Sequence, residues 1–154
     1  MRTLNLIGSS VLVIAAAGSA GAYCDSHPTV QEEFKASALV FVGKVTSARD
    51  VTVQSQSITG STFYSVEVVE ALKGSPPHEL ELYSENTSGR FPMEVGIRYV
   101  IFADRGVFEG IRGKQFAINN CGNSAPLPKG NKTLETVRRL SKAQPSAAAN
   151  RWPF

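Results

Sequence analysis

The chain is poor in the residues from which most catalytic and metal centres are built. Its 154 residues include two cysteines, two histidines and one tryptophan. His27 and His78 stand alone, with no His-x-x-x-His or Cys-x-x-Cys spacing around them. Neither a zinc site nor a dithiol redox pair is therefore encoded locally, and both residues read as loop histidines. No Gly-x-Ser-x-Gly elbow marks a hydrolase nucleophile. Glu79 and Glu81 alternate with Leu80 and Leu82, the pattern of a strand's wet face rather than of an acid/base pair. Gly89 and the glycines from Gly106 to Gly113 read as turn residues, not as a phosphate-binding loop. The expectation is a protein with no catalytic residue, no metal and no cofactor.

Charge of one sign is also scarce. The formal net charge is +3, and it falls to +2 once Arg2 is removed with a leader. No Lys/Arg cluster is longer than Arg138-Arg139, so no polybasic arm is present and nucleic acid is not the expected partner. The longest apolar stretch, the 14 residues from Leu4 to Ala17, falls short of the roughly 20 needed to span a bilayer. Met1-Arg-Thr precedes it, and Ala20-Gly-Ala22 supplies an A-x-A cleavage signal. Residues 1–22 therefore read as a secretory signal peptide cut after Ala22. Tyr23 is too large to precede a lipidated Cys24. The mature chain is expected to be secreted or periplasmic, with no membrane attachment after processing. Two cysteines in an exported chain favour a Cys24–Cys121 disulfide.

Ser37-Ala-Leu-Val-Phe-Val-Gly-Lys-Val-Thr-Ser47 carries the strongest fold signal. Ala38–Val42 reads as a strand buried on both faces, with a bulge at Gly43 that lets it bend between two sheets. Upstream, Thr29 and Glu32 form a capping box for a helix ending near Ser37, with Val30 and Phe34 on its buried face. Downstream, Ala48-Arg-Asp50 reads as a turn into Val51–Gln56, and Thr59-Gly-Ser61 as a hairpin tip. Phe63–Glu70 alternates with Tyr64, Val66 and Val68 on one face, and His78–Tyr83 with Leu80 and Leu82 inward. Glu85–Gly89 is a loop, Arg98–Ala103 a second deeply buried strand, and Gln115–Ile118 a short strand after a hairpin. Asn131 or Thr133 caps a helix reaching about Lys142, with Leu134, Val137 and Leu140 inward. Strands do not alternate with long helices, which argues against a parallel α/β sheet. The fold class expected is mainly β: a five-stranded, OB-fold-like antiparallel Greek-key barrel with a short N-terminal and a C-terminal helix. The domain spans 23–142, followed by a flexible tail, 143–154.

The ordered set Cys24, Ser37–Val45, Tyr64-Ser-Val-Glu-Val68 with Leu72-Lys-Gly74, Gly96–Ala103, and Cys121 with Ser124 resembles the netrin-like family. Within it, the resemblance is to the branch of tissue inhibitors of metalloproteinases (TIMP-like) and covers about Cys24 to Leu140. It implies an OB barrel and a protein partner, such as an extracellular protease. The family begins Cys-x-Cys. Here Ala22 holds the first of those positions, and Ser88-Gly89 holds that of the cysteine's usual bridge partner. The family's second bridge is retained as Cys24–Cys121. In the inhibitors, the α-amine and carbonyl of the first cysteine chelate the protease's zinc. With Tyr23 first, no bridge at its own position holds the amine, which argues against zinc-chelating inhibition. The resemblance places partner binding on Tyr23, Cys24, Asp25 and Ser26.

Two other readings are carried. An OB barrel can bind oligosaccharide or single-stranded nucleic acid on its sheet face, with Phe63, Tyr83 and Phe116 as stacking platforms. A hydrolase of unrecognised type is the other. Asn86-Thr-Ser88 and Asn131-Lys-Thr133 match the glycosylation sequon, which matters only in a eukaryotic secretory pathway.

Overall fold

A computed structural model describes Cys24 and residues 27–52, 60–108 and 111–144. The expected leader, 1–22, and the tail beyond Gln144 lie outside the described residues. No helix among the described residues is long and apolar enough to cross a membrane.

Thr29 opens the first helix, α1 (Val30–Ala36), as its capping box predicts. Glu32 N donates to Thr29 Oγ1 at 3.3 Å, while the Glu32 carboxylate accepts from Thr29 N and Oγ1 at 2.8 Å each. The backbone donor above all, then the hydroxyl, holds the Glu32 carboxyl below its ordinary pKa. Phe34 is the buried residue of this helix. Its far end is closed from a distance: Lys73 Nζ donates to the carbonyls of Phe34, Lys35 and Ser37 at 2.6, 2.7 and 2.7 Å. Those are the carbonyls a helix end leaves without partners. Gly74 follows with φ +74°, where a Cβ would sit 2.7 Å from Leu39 Cδ2 and 2.9 Å from Ala38 O. Leu72-Lys-Gly74 thus docks the end of one strand onto α1.

Six strands follow: β1 (Leu39–Thr52), β2 (Gly60–Lys73), β3 (Glu79–Glu85), β4 (Arg98–Val107), β5 (Lys114–Ala117) and β6 (Ala125–Pro126). Five of them pair in a closed ring, β1-β2-β3-β5-β4 and back to β1, and β6 flanks β4. Every ladder is antiparallel except β3–β5, which is parallel through Leu82↔Phe116 and Tyr83↔Ala117. The mainly β class is as expected; the parallel contact departs from the all-antiparallel sheet expected.

β1 and β4 each serve two cores. Leu39, Phe41 and Val45 of β1 point into the ring with Tyr99, Ile101 and Ala103 of β4, meeting Tyr64, Val66 and Leu82. The alternate residues Val40, Val42, Val100 and Phe102 face outward and pack with Phe34, Leu72, Leu134 and Val137. Because side chains alternate along a strand, only a strand covered on both sides reads as a continuous apolar run. Leu39–Val42 is such a run, although Ala38 is exposed. The β1–β2 register shifts between Val40/Phe41, Val42/Gly43 and Val45/Ser47. The extra residues of the first two shifts are Leu72 and Val69, so the bulge expected at Gly43 lies on the opposite strand, β2; only the third, at Thr46, is on β1.

Three local readings are corrected. Ala48-Arg-Asp50 is not a turn: β1 runs on through it, pairing Ala48↔Tyr64, Arg49↔Phe63 and Asp50↔Thr62. Polar residues occupy the strand because this arm is wet; Thr62 Oγ1 donates to Asp50 Oδ1 at 2.8 Å, and Arg49 reaches Glu81 at 3.3 Å. Gly60 and Ser61 begin β2 rather than form a hairpin tip, and 53–59 lie outside the described residues. The second helix, α2 (Asn131–Ala143), takes Gly130 as its N-cap with no side-chain cap bond, so Asn131 is already helical. Gly130 packs closely on β4 and β6: a Cβ there would stand 3.0 Å from Val100 Cγ1 and 3.1 Å from Ala125 Cβ, tight contacts that these neighbours would have to ease. Leu134 and Val137 are buried and Leu140 half-buried, as the spacing predicts.

Candidate functional site

At the end of β4 that carries Asp104, three segments far apart in sequence form one edge. Cys24 and Cys121, 97 positions apart, are disulfide-bonded with their Cα atoms 5.6 Å apart. Such a bond belongs to an oxidising compartment. Beside it, Glu33 Oε2 accepts from both Asn123 N and Asn123 Nδ2 at 2.6 Å, and Nδ2 also donates to Pro28 O at 2.9 Å. A Cβ at Gly122 would collide with the Glu33 carboxylate, which would have to leave its place beside Asn123. Ser124 Oγ then accepts from Phe102 N at 2.9 Å, fixing the segment to β4.

The other arm of the edge is loop 86–90. Asn120 N donates to Gly89 O at 3.0 Å and Asn120 Nδ2 to Ser88 O at 3.3 Å. The loop is stiffened by Arg90, which donates to Asn86 Oδ1 at 3.0 Å and Thr62 Oγ1 at 3.3 Å. Through Asn120 and Cys121, the N-terminal segment and Ser88-Gly89 become neighbours. Two clefts open between these parts and share Asp104 and Asn119. One, of about 310 Å³, lies against Glu33 and Cys121; the other, of about 220 Å³, lies over Tyr83, Phe108 and Ile118.

Burial pushes the Glu33 carboxyl above its ordinary pKa, opposed by the two Asn123 donors and reinforced by the charge of Asp104. A carboxyl whose folded pKa is raised favours folding below its unfolded pKa, and that contribution is lost as pH rises through the folded value. Glu33→Gln removes this titration while keeping an oxygen for Asn123. Relative to wild type, the variant is therefore expected to gain thermal stability on going from pH 4 to pH 7. Unfolding curves across that range check the sign, and Glu32, common to both proteins, cancels from the difference.

The predicted partner-binding residues are unequally placed. Cys24 lies on the edge, half-buried in its disulfide, while Tyr23, Asp25 and Ser26 lie outside the described residues. Glu33, Asn120 and Asn123 were not singled out from sequence, since no local motif links a helical glutamate to an asparagine 90 positions on. Among the described residues, no three His, Cys, Asp or Glu side chains are grouped to hold a metal. His27 is exposed, and His78 stands 4.0 Å from Glu67. Glu79 and Glu81 are exposed on β3.

The aromatic platforms for a sheet-face ligand are largely occupied. Phe63 and Tyr83 are buried, 8% and 3% exposed, and stack at 5.2 Å; Tyr83 also stacks on Phe108 at 4.5 Å. Phe116 is half-buried under the Arg105 guanidinium, 4.6 Å from the ring centre. Of the two sequon asparagines, Asn86 has its oxygen engaged by Arg90, and Asn131 is exposed. Neither a family model nor a curated protein matches this chain.

Proposed function

We propose that this chain is an exported, non-enzymatic protein-interaction domain of the OB type, similar to TIMP-like inhibitors in its engaging edge but without zinc chelation. The observation that carries the reading is the edge itself. The disulfide and Asn120 link Cys24 to Ser88-Gly89, which the resemblance makes the position of the first cysteine's bridge partner. The closed order β1-β2-β3-β5-β4, with its single parallel contact, supports the OB type. The leader pattern read in residues 1–22 supports export, as does a disulfide, a bond that is rare in reducing compartments.

The partner is a protein, with an extracellular protease as the first to test, held by shape and backbone contacts. Binding is expected to be indifferent to whether that protease carries its zinc. The test is site-specific photocrosslinking in the compartment to which the chain is exported, comparing a photoreactive residue at Ser88 with one at Glu79 on the wet face of β3. Adducts from Ser88 but not Glu79 are expected. Equal labelling from both positions would sink the edge. Substrate turnover abolished by a single substitution would replace the reading with an enzyme, and salt-dependent binding of oligo(dT) would replace it with a nucleic-acid module.

A further inference from the structure

Four large hydrophobic side chains are exposed among the described residues: Val69, Val95, Ile97 and Val107. Two of them, Val69 and Ile97, line a single concavity of about 540 Å³ at the start of β4, and Val95 belongs to the turn that leads into it. Asp104, on the disulfide edge, is six residues further along β4, roughly 20 Å away, so this is a separate surface.

The fold explains why these side chains are left out. Gly43 pairs with Val68 and Val42 with Glu70, so Val69 is the extra residue of a bulge and has no partner on β1. Ile97 is fixed through its backbone: its carbonyl accepts from Val45 N at 3.1 Å, and its N donates to Glu94 O at 3.3 Å. Its side chain is 38% exposed, and that of Val69 52%. Beneath them, Val42 and Leu134 form a buried apolar floor.

Charge chooses the occupant. The one carboxylate lining the concavity, Glu70, is already taken by Arg138, whose Nε and Nη2 donate to it at 3.0 and 2.6 Å. Arg98 lines the same space, is exposed, and makes no ion pair or side-chain hydrogen bond among the described residues. Lys44 is directly opposite it on β1, also exposed, and has Glu67 of β2 directly across on its other side. Glu67 answers Lys44, which leaves Arg98 as the cation of this face with no carboxylate directly across from it among the described residues. The first turn of α2 adds no acidic residue.

We propose that this concavity is a second docking surface, and that it takes a segment of a partner protein presenting a branched aliphatic side chain next to a carboxylate. The aliphatic group covers Val69 and Ile97, and the carboxylate meets Arg98. This surface does not depend on the disulfide edge or on what binds there.

N-acetyl-leucine reduces that chemistry to a probe. Titrated into isotope-labelled protein, it is expected to shift the amides of Val69, Ile97, Arg98 and Leu134 saturably, with a Kd of about 1–10 mM. The neutral N-acetyl-leucinamide should bind about fivefold more weakly, as should N-acetyl-leucine to Arg98→Gln. Ile97→Ser should weaken both probes, and the exposure of the side chain keeps that variant folded. Absence of saturable shifts up to about 50 mM, equal affinity for the neutral amide, or shifts confined to residues around Cys121 would each overturn the proposal. Movement of the same amides with protein concentration alone would also overturn it, because a second copy of the chain would then be the occupant.

Discussion

Replacing Cys24 and Cys121 together by serine is expected to lower the unfolding free energy by about 2–5 kcal/mol. Urea unfolding at neutral pH measures this, and the slope should steepen because the unfolded chain is no longer cross-linked. The effect is large because the bridged residues are 97 positions apart. In the chain-entropy account, a loop of that length restricts the unfolded ensemble by about 4–5 kcal/mol, and native-state strain or residual structure reduces the yield. The folded form should survive the change. Pro28 and Glu33 remain tied to Asn123, and Phe34 remains in its core. The variant is thus expected to lose the N-terminal half of the edge without losing the ring, and crosslinking from Ser88 should fall. A stability loss under about 0.5 kcal/mol would mean that the Glu33–Asn123 clamp already holds the segment.

Gly43→Val carries the second large effect, about 1–3 kcal/mol of destabilisation from overpacking. What Gly43 contributes is the absence of a side chain, not an unusual backbone angle. A Cβ there would run into Val66 Cγ1 and stand 2.9 Å from Phe41 Cε2. Both neighbours are fully buried, so neither can step aside into solvent. Shortening the opposing residue tests the mechanism: Gly43→Val with Val66→Ala should recover a substantial part of the loss, a non-additivity expected only of residues in contact. A neutral Gly43→Val would show that β1 and β2 do not need this close approach to pair.

The parts of the fold legible in the sequence were those whose cause lies within a few residues. The Thr29–Glu32 capping box is a four-residue device and forms as read. Leu39–Val42 announced burial on both faces because neither alternating set contains a polar residue, and the two cores bear this out. Asp50 misled because its polar neighbourhood imitates a turn. Its actual environment is set by Thr62 on β2, which no local window contains. Gly130 caps α2 although Asn131 and Thr133 are better cappers by type, and its close approach to Val100 and Ala125 is not visible in any local window. The functional edge divides the same way. Cys24 and Cys121 were legible by counting, while Glu33, Asn120 and Asn123 act through partners about 30 to 90 residues distant. The outward direction of Val69 follows from its place opposite Tyr64, Val66 and Val68, but nothing local shows that Ile97 and Arg98 share one concavity with it.

The single parallel contact in the ring has a dynamic consequence. β1 and β2 share a long ladder, whereas β3 and β5 meet at only two register pairs, helped by Ile118 N donating to Tyr83 O at 2.9 Å. A closed ring has no edge, but it has a shortest seam, and thermal opening begins where the fewest bonds must break together. Solvent protons should therefore reach the amides of Phe116–Ile118 through brief partings of that seam. Those of Phe41 and Val100, locked between two cores, should exchange only when the whole molecule comes apart.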